Sequence, residues 1–145
     1  MLLDHLSPDH RDRVRQLLVA NELPVGDLDD PTNELIGAFD GEDLLGVVGL
    51  QRCDGVGLLR SLAVAEARRA NGIGRLLCEH VVATARAHGY TDLYLLTTGA
   101  ADYFARQGFS DVGREDVPAA IRMTAQFAGL CPASARVMRR RIVST

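Results

Sequence analysis

The sequence predicts an α/β domain built on a central mixed β-sheet, and three observations carry that prediction. An apolar run at Leu58–Val64 leads through a glycine turn, Gly72-Ile73-Gly74, into an amphipathic stretch ending at His88, and a second apolar run follows at Leu93–Thr97. Strand, helix and strand in that order form a crossover, and crossovers join parallel strands with a right-handed turn. The runs Leu35–Asp40, Leu44–Gln51 and Leu58–Val64 are separated only by Asp40-Gly41-Glu42-Asp43 and by a turn at Cys53-Asp54-Gly55, the pattern of an antiparallel meander. The 145 residues, 47% hydrophobic and 24% charged, make one domain (1–145) of ordinary globular composition.

In chain order, Ser7-Pro8 marks a helix start, with serine as N-cap and proline in the first helical position. That helix runs to about Ala20 and turns Val14, Leu17 and Leu18 inward. Asn21–Pro31 is polar and turn-rich, a loop in which Asp27, Asp29 and Asp30 read as solvated charges and caps. After the meander, the central helix carries Ile73, Leu76, Leu77, Val81, Val82 and Ala85 at a helical period and stops at Gly89. Ala100–Gln107 is a short helix ended by Gly108, and Phe109 opens a further strand. Val117–Ala128 holds a second short helical stretch and Ala135–Val143 the last strand, giving about four helices in all. The run Arg139-Arg140-Arg141 reads as part of a solvated edge strand.

Composition excludes several functions. A net charge of −3 argues against non-specific nucleic-acid binding, and all basic residues are arginine, so no lysine is present for Schiff-base chemistry. Cys53, Cys78 and Cys131 are widely spaced and define neither a disulfide framework nor a metal site. MLLDHLSPDH lacks the apolar segment of a signal peptide and no run is long enough to span a membrane, which points to the cytoplasm.

Function is written most clearly in the glycine turn. Where a strand hands over to a helix N-terminus, the first backbone N–H groups have no partner and the helix dipole is positive. Glycine lets an anion approach those amides. The spacing is Arg69-x-x-Gly72-x-Gly74, which is neither Gly-x-Gly-x-x-Gly nor a P-loop. In an open sheet, ligands sit beyond the strand C-termini where connections diverge, and that place coincides with this turn.

The Arg-x-x-Gly-x-Gly pattern after Leu62-Ala63-Val64 resembles the pyrophosphate-binding motif of the GNAT superfamily of acetyl-CoA-dependent N-acetyltransferases, and the order of elements resembles that family along nearly the whole chain, including the Gly108-Phe109 ending of a helix. More narrowly, LLRSLAV (58–64), YLLTT (94–98), YFARQGF (103–109) and VPAAIRMTAQFAGLCPASA (117–135) resemble the arsenic-resistance-associated N-acetyltransferases. The Leu-Thr-Thr and final-strand segments are distantly similar to the acetyltransferase domain of N-acetylglutamate synthases.

The resemblance implies acetyl-CoA as cosubstrate, no metal, and a small-molecule amine as acceptor, with no nucleic acid or membrane as partner; a homodimer is allowed. It implies that the backbone of Leu62, Ala63 and Val64 binds the pantetheine arm as an added strand, with the Leu62 amide facing the thioester oxygen. Arg69, Ala70, Asn71, Gly72, Ile73, Gly74 and Arg75 would surround the pyrophosphate, and Phe104 would touch the cosubstrate. The family's frequent general base falls on Leu58 and its frequent acid on Phe104, with Tyr103 beside it, so neither group is present. For the acceptor, the sequence points to Arg60, Ser61 and Thr97. Arg60 interrupts an apolar strand and either pairs with a structural carboxylate or clamps an anionic group of the acceptor. Cys131, before Pro132, is either a buried small residue or a thiol near the acceptor. The readings that follow are acetyl transfer to an anionic, amino-acid-like or organoarsenical amine, an arginine-pathway type of amino-acid acetyltransferase, or an acyl-CoA sensor without turnover.

Overall fold

The computed structural model describes residues 1–69 and 71–142. Ala70 of the glycine turn and Val143 of the last strand lie outside the described residues. The strands are β1 (Leu2–His5), β2 (Asn33–Asp40), β3 (Asp43–Cys53), β4 (Val56–Val64), β5 (Asp92–Thr97), β6 (Ser110–Val112) and β7 (Arg136–Arg141). The α-helices are α1 (Arg11–Ala20), α2 (Ile73–Ala87), α3 (Ala101–Arg106) and α4 (Ala119–Arg122), and a π-helical turn spans Gln126–Leu130.

The strands form one sheet in the order β1-β2-β3-β4-β5-β7-β6, antiparallel except between β4 and β5. The meander and the parallel crossover stand as the sequence predicts. β1 was not predicted: four residues at the N-terminus are too few to show a period, and their pairing with β2 places them. β7 is not an edge strand, since it lies between β5 and β6 and the three-residue β6 takes the edge. Arg140 bonds Glu79 and the Gln107 carbonyl rather than standing free.

Helix α2 covers one face of the sheet. Leu77, Cys78, Val81, Val82 and Ala85 pack with Val48, Leu50, Leu59, Leu93 and Leu95. Leu76, placed on the inner face by its period, is 47% exposed, and Cys78 takes the buried position. On the opposite face α1 packs Val14 and Leu18 on Val47 and Ala63, while α4 packs Ile121 with Leu58, Tyr94 and Val137. The predicted Val117–Ala128 helix is α4 followed by the π-helical turn. Among the described residues, no helix is long and apolar enough to cross a membrane.

One irregularity positions everything that follows. Val47 faces Ala63, but Gly49 faces Arg60, so β4 carries one more residue than β3 between those pairs. Ser61 absorbs it with φ +58°. An extra residue reverses which face later side chains point to. Leu59 and Leu62 accordingly share the α2 face, while Leu58 and Ala63 share the other. The β4–β5 ladder holds only at Gly57–Leu93 and Leu58–Tyr94, and beyond the bulge the two strands part.

That short parallel junction depends on Gly57. A Cβ there would stand 2.7 Å from Leu50 Cδ1 and 2.9 Å from Leu93 Cδ2. Gly57→Val should cost about 1–3 kcal/mol, the usual penalty of overpacking, measured as a lower urea midpoint with unchanged m-value.

Candidate functional site

The parting of β4 and β5 opens a cavity of about 1310 Å³ between Leu59–Val64 and Leu95–Ala100. Its ends are the α2 N-terminus and the π-helical turn, and the loop after α1 forms a wall. The Ala65 N–H donates to Leu45 O on β3 at 2.8 Å. Alternation along the strand then turns the N–H groups of Val64 and Leu62 toward the open edge. There β4 has no neighbour to pair with.

At the other end, Gly72 caps α2 with φ +78°, a conformation glycine adopts without cost. Among the described residues, the amides of Gly72, Ile73, Gly74 and Arg75 make no hydrogen bond, and the first bond of the helix is Leu76 N–H to Gly72 O. The glycine turn thus leaves free amides at the start of α2, with Arg68 and Arg75 lining the cavity beside it. Arg69 bridges the mouth, donating through Nη2 to Asn21 Oδ1 at 2.8 Å and through Nε to Val64 O at 3.4 Å. Gly74 faces Tyr103, the neighbour of Phe104: a Cβ at Gly74 would lie 2.6 Å from the Tyr103 hydroxyl. Tyr103 thus presents its hydroxyl to the glycine turn. Phe104 is 7% exposed and stacks edge-on between Tyr103 and Phe109, so it forms floor rather than wall.

Arg60 answers the question that its sequence position raised. Its side chain is fully buried, and its two terminal nitrogens grip Asp27 Oδ1 and Oδ2 at 2.5 Å each. Gln51 Oε1 and Ser61 Oγ accept further bonds. The anion-clamp expectation is corrected: Asp27 fills the fork, and this loop residue is no free surface charge. Asp29 pairs with Arg11 and Arg15, and Asp30 bonds Thr32, which holds its carboxyl below the usual range. Thr97 Oγ1 accepts the Ala100 N–H at 3.0 Å, which leaves its hydroxyl hydrogen for the cavity.

The phenol and the thiol of the cavity keep their protons at neutral pH. Burial raises the Tyr103 phenol and the Cys131 thiol above their ordinary values. Among the described residues, Glu22, exposed at the rim, is the only carboxylate lining the cavity, and no histidine lines it. Among the described residues, no group of three His, Cys, Asp or Glu side chains stands close enough to hold a metal. Sequence reasoning missed Glu22, Gln126 and Leu130 because only the folded loops carry them to β4.

Residues 1–109 match the model of the acetyltransferase (GNAT) family. An amino-acid acetyltransferase of Ralstonia nicotianae is 38% identical over 65 residues, which is 45% of this chain and 14% of that protein. The chain thus spans a small part of that relative's length. Among solved structures, a GNAT acetyltransferase of Staphylococcus aureus Mu50 superposes with TM-score 0.80 at 19% identity, over 98% of this chain and 99% of that one. N-acetylglutamate synthase of Neisseria gonorrhoeae, complexed with coenzyme A and L-arginine, superposes with TM-score 0.79 at 18% identity, over 99% of this chain and 33% of that one.

The Arg60–Asp27 pair yields a stability test. Asp27→Ala leaves a buried guanidinium uncompensated and should cost about 3–5 kcal/mol. Replacing both partners by leucine should recover most of that loss, read as the difference between the two urea midpoints.

Proposed function

We propose that this chain, which belongs to the acetyltransferase (GNAT) family and is by that membership an acetyl-CoA-dependent N-acetyltransferase, acetylates a small amine held in the β4–β5 opening. The observation that carries this reading is the pairing of an open strand edge at Leu62–Val64 with unpartnered amides at Gly72–Arg75. The edge suits an amide-bearing pantetheine arm, and the amides with Arg68 and Arg75 suit its pyrophosphate. Structures of the same fold that hold coenzyme A support the assignment.

The chemistry is direct attack. The amine lone pair forms a bond to the thioester carbon, and the carbonyl oxygen becomes an oxyanion facing the Leu62 N–H. The intermediate collapses, the C–S bond breaks, and the amine's proton leaves to water as the thiolate departs. A donor aimed at that oxyanion is worth about 3 kcal/mol.

For the acceptor, we infer an amine that also carries an acid group. Similarity to amino-acid acetyltransferases over the matched segment supports an amino-acid-like acceptor. The resemblance of LLRSLAV, YFARQGF and VPAAIRMTAQFAGLCPASA to arsenic-resistance-associated enzymes extends the class to amine-bearing organoarsenicals. Turnover of any such amine excludes a purely sensing role.

Acetyl-CoA at a hundred times its Kd should stabilise the fold by about 2.7 kcal/mol. Gly74→Val should abolish the shift while the protein stays folded, because the new side chain meets the Tyr103 hydroxyl on the anion turn. An unchanged melting temperature in the parent protein would remove the basis of the reading. Tyr103→Phe should raise KM for acetyl-CoA by about two- to tenfold, the worth of one neutral hydrogen bond, and leave the pH profile in place.

The pH profile is a separate test. The thiol and phenol of the cavity are held protonated at neutral pH, so only the substrate amine titrates deep in the site. Below the amine's own pKa its reactive neutral fraction grows about tenfold per pH unit, and kcat/KM should follow. The inflection should move with the amine, and Glu22→Gln should not shift it. An inflection that stays fixed across amines of different basicity would place a titrating enzyme group in the reaction.

A further inference from the structure

One buried polar side chain of the cavity has a donor group that the fold does not use. Gln126 opens the π-helical turn, is 4% exposed, and lines the cavity. Its Oε1 accepts from the Cys131 thiol at 3.9 Å, and among the described residues its Nε2 makes no hydrogen bond. Nε2 is not sealed from the cavity, so a ligand entering there can accept from this donor in place of solvent. The cavity is where such a ligand would lie.

The turn is built to hold this amide still. Thr124 Oγ1 donates to Ile121 O at 2.7 Å and accepts from Phe127 N–H at 3.3 Å. The Cys131 N–H closes the turn on Gln126 O at 3.0 Å, which keeps the thiol beside the carboxamide. With the thiol protonated, its S–H holds Oε1, and Nε2 faces the cavity as a donor pair with no acceptor. That pattern suits an oxygen of an acid or carbonyl and rejects an ammonium or another donor.

We propose that Gln126 is the residue that recognises the acceptor, donating from Nε2 to a carboxylate or oxyacid oxygen on the amine to be acetylated, with Cys131 fixing the orientation of the amide. This rests on the cavity being the acetyl-transfer site. It assigns the acceptor's acid group to the π-helical turn rather than to Arg60.

The test measures calorimetric binding to CoA-saturated protein and initial rates with acetyl-CoA. The acid probes are glycine, L-glutamate and 2-aminoethylphosphonate; the neutral probes are glycinamide and ethanolamine. The parent protein should prefer the acids. Gln126→Glu and the apolar isostere Gln126→Met should each weaken acid binding about tenfold more than neutral binding, the loss typical of a hydrogen bond to a charged group. Retained CoA affinity certifies the fold of each variant, and Cys131→Ser, which keeps a donor, should preserve the preference. Equal weakening of both classes, or no preference in the parent protein, overturns the proposal. Acid-selective binding lost in the variants without any acetylation would uphold the subsite and sink the transfer reading, whereas acetylation without acid preference would do the reverse.

Discussion

The site is built on an irregular β4, which carries one residue more than β3 between their paired ends. The β4–β5 ladder ends at Leu58–Tyr94, just before the bulge, and the cavity opens from there. The extra residue at Ser61 reverses the side-chain parity, sends Leu62 and Val64 to the α2 face, and leaves their amides along an open edge. A serine at positive φ costs on the order of 1–3 kcal/mol, and such a conformation persists only where its surroundings over-determine it. Here the surroundings are the β3 ladder on one side and the Arg60 network on the other.

That network explains why a charged residue sits in the strand at all. Arg60, one residue before the bulge, reaches away from α2 to Asp27 in the loop after α1. Its Nε also bonds Ser61 Oγ, so the guanidinium holds both the loop and the bulged residue. The ion pair is not a source of net stability in itself, since desolvation offsets much of the attraction in buried pairs. What it contributes is placement. It fixes the Asp27 loop, of which Val25 and Gly26 form cavity wall, and the Leu130 side chain of the π-helical turn packs over Gly26. One pair of charges thereby joins the loop, the strand and the opposite wall.

Most of the frame was legible in the sequence because its signals are local. Leu58–Val64, the Gly72-x-Gly74 turn, the period of α2 and the Leu93 run each announce themselves within a dozen residues, and together they fix the parallel junction. The candidate site was half legible for the same reason: the glycine turn is a local motif, whereas the π-helical end of the cavity is assembled from distant pieces. Gln126 and Glu22 carry no pattern of their own, and Ser61 looks like any strand residue until the register with β3 is known. Tyr103 and Phe104 show the limit most clearly. The helix period separates them by about 100°, but only the packing of Phe104 against Phe109 decides which ring becomes floor and which hydroxyl meets Gly74.

The absence of the family's frequent base and acid at Leu58 and Phe104 is less damaging than it first looks once magnitudes are compared. A general base typically contributes about 10²–10⁴-fold, or about 3–5 kcal/mol. Holding two reactants in an aligned pose is worth about 7–11 kcal/mol, and one oxyanion donor about 3 kcal/mol. Alignment outweighs a base and an oxyanion donor is comparable to one, and in the proposed reading neither draws on a titrating side chain. Tyr103 and Cys131 are held neutral, Asp27 is locked to Arg60, and Glu22 stays at the rim. A site of this kind aligns and stabilises charge while leaving the proton to solvent. Its selectivity then has to come from what grips the acceptor, and that places the burden on the polar groups at the π-helical end of the cavity.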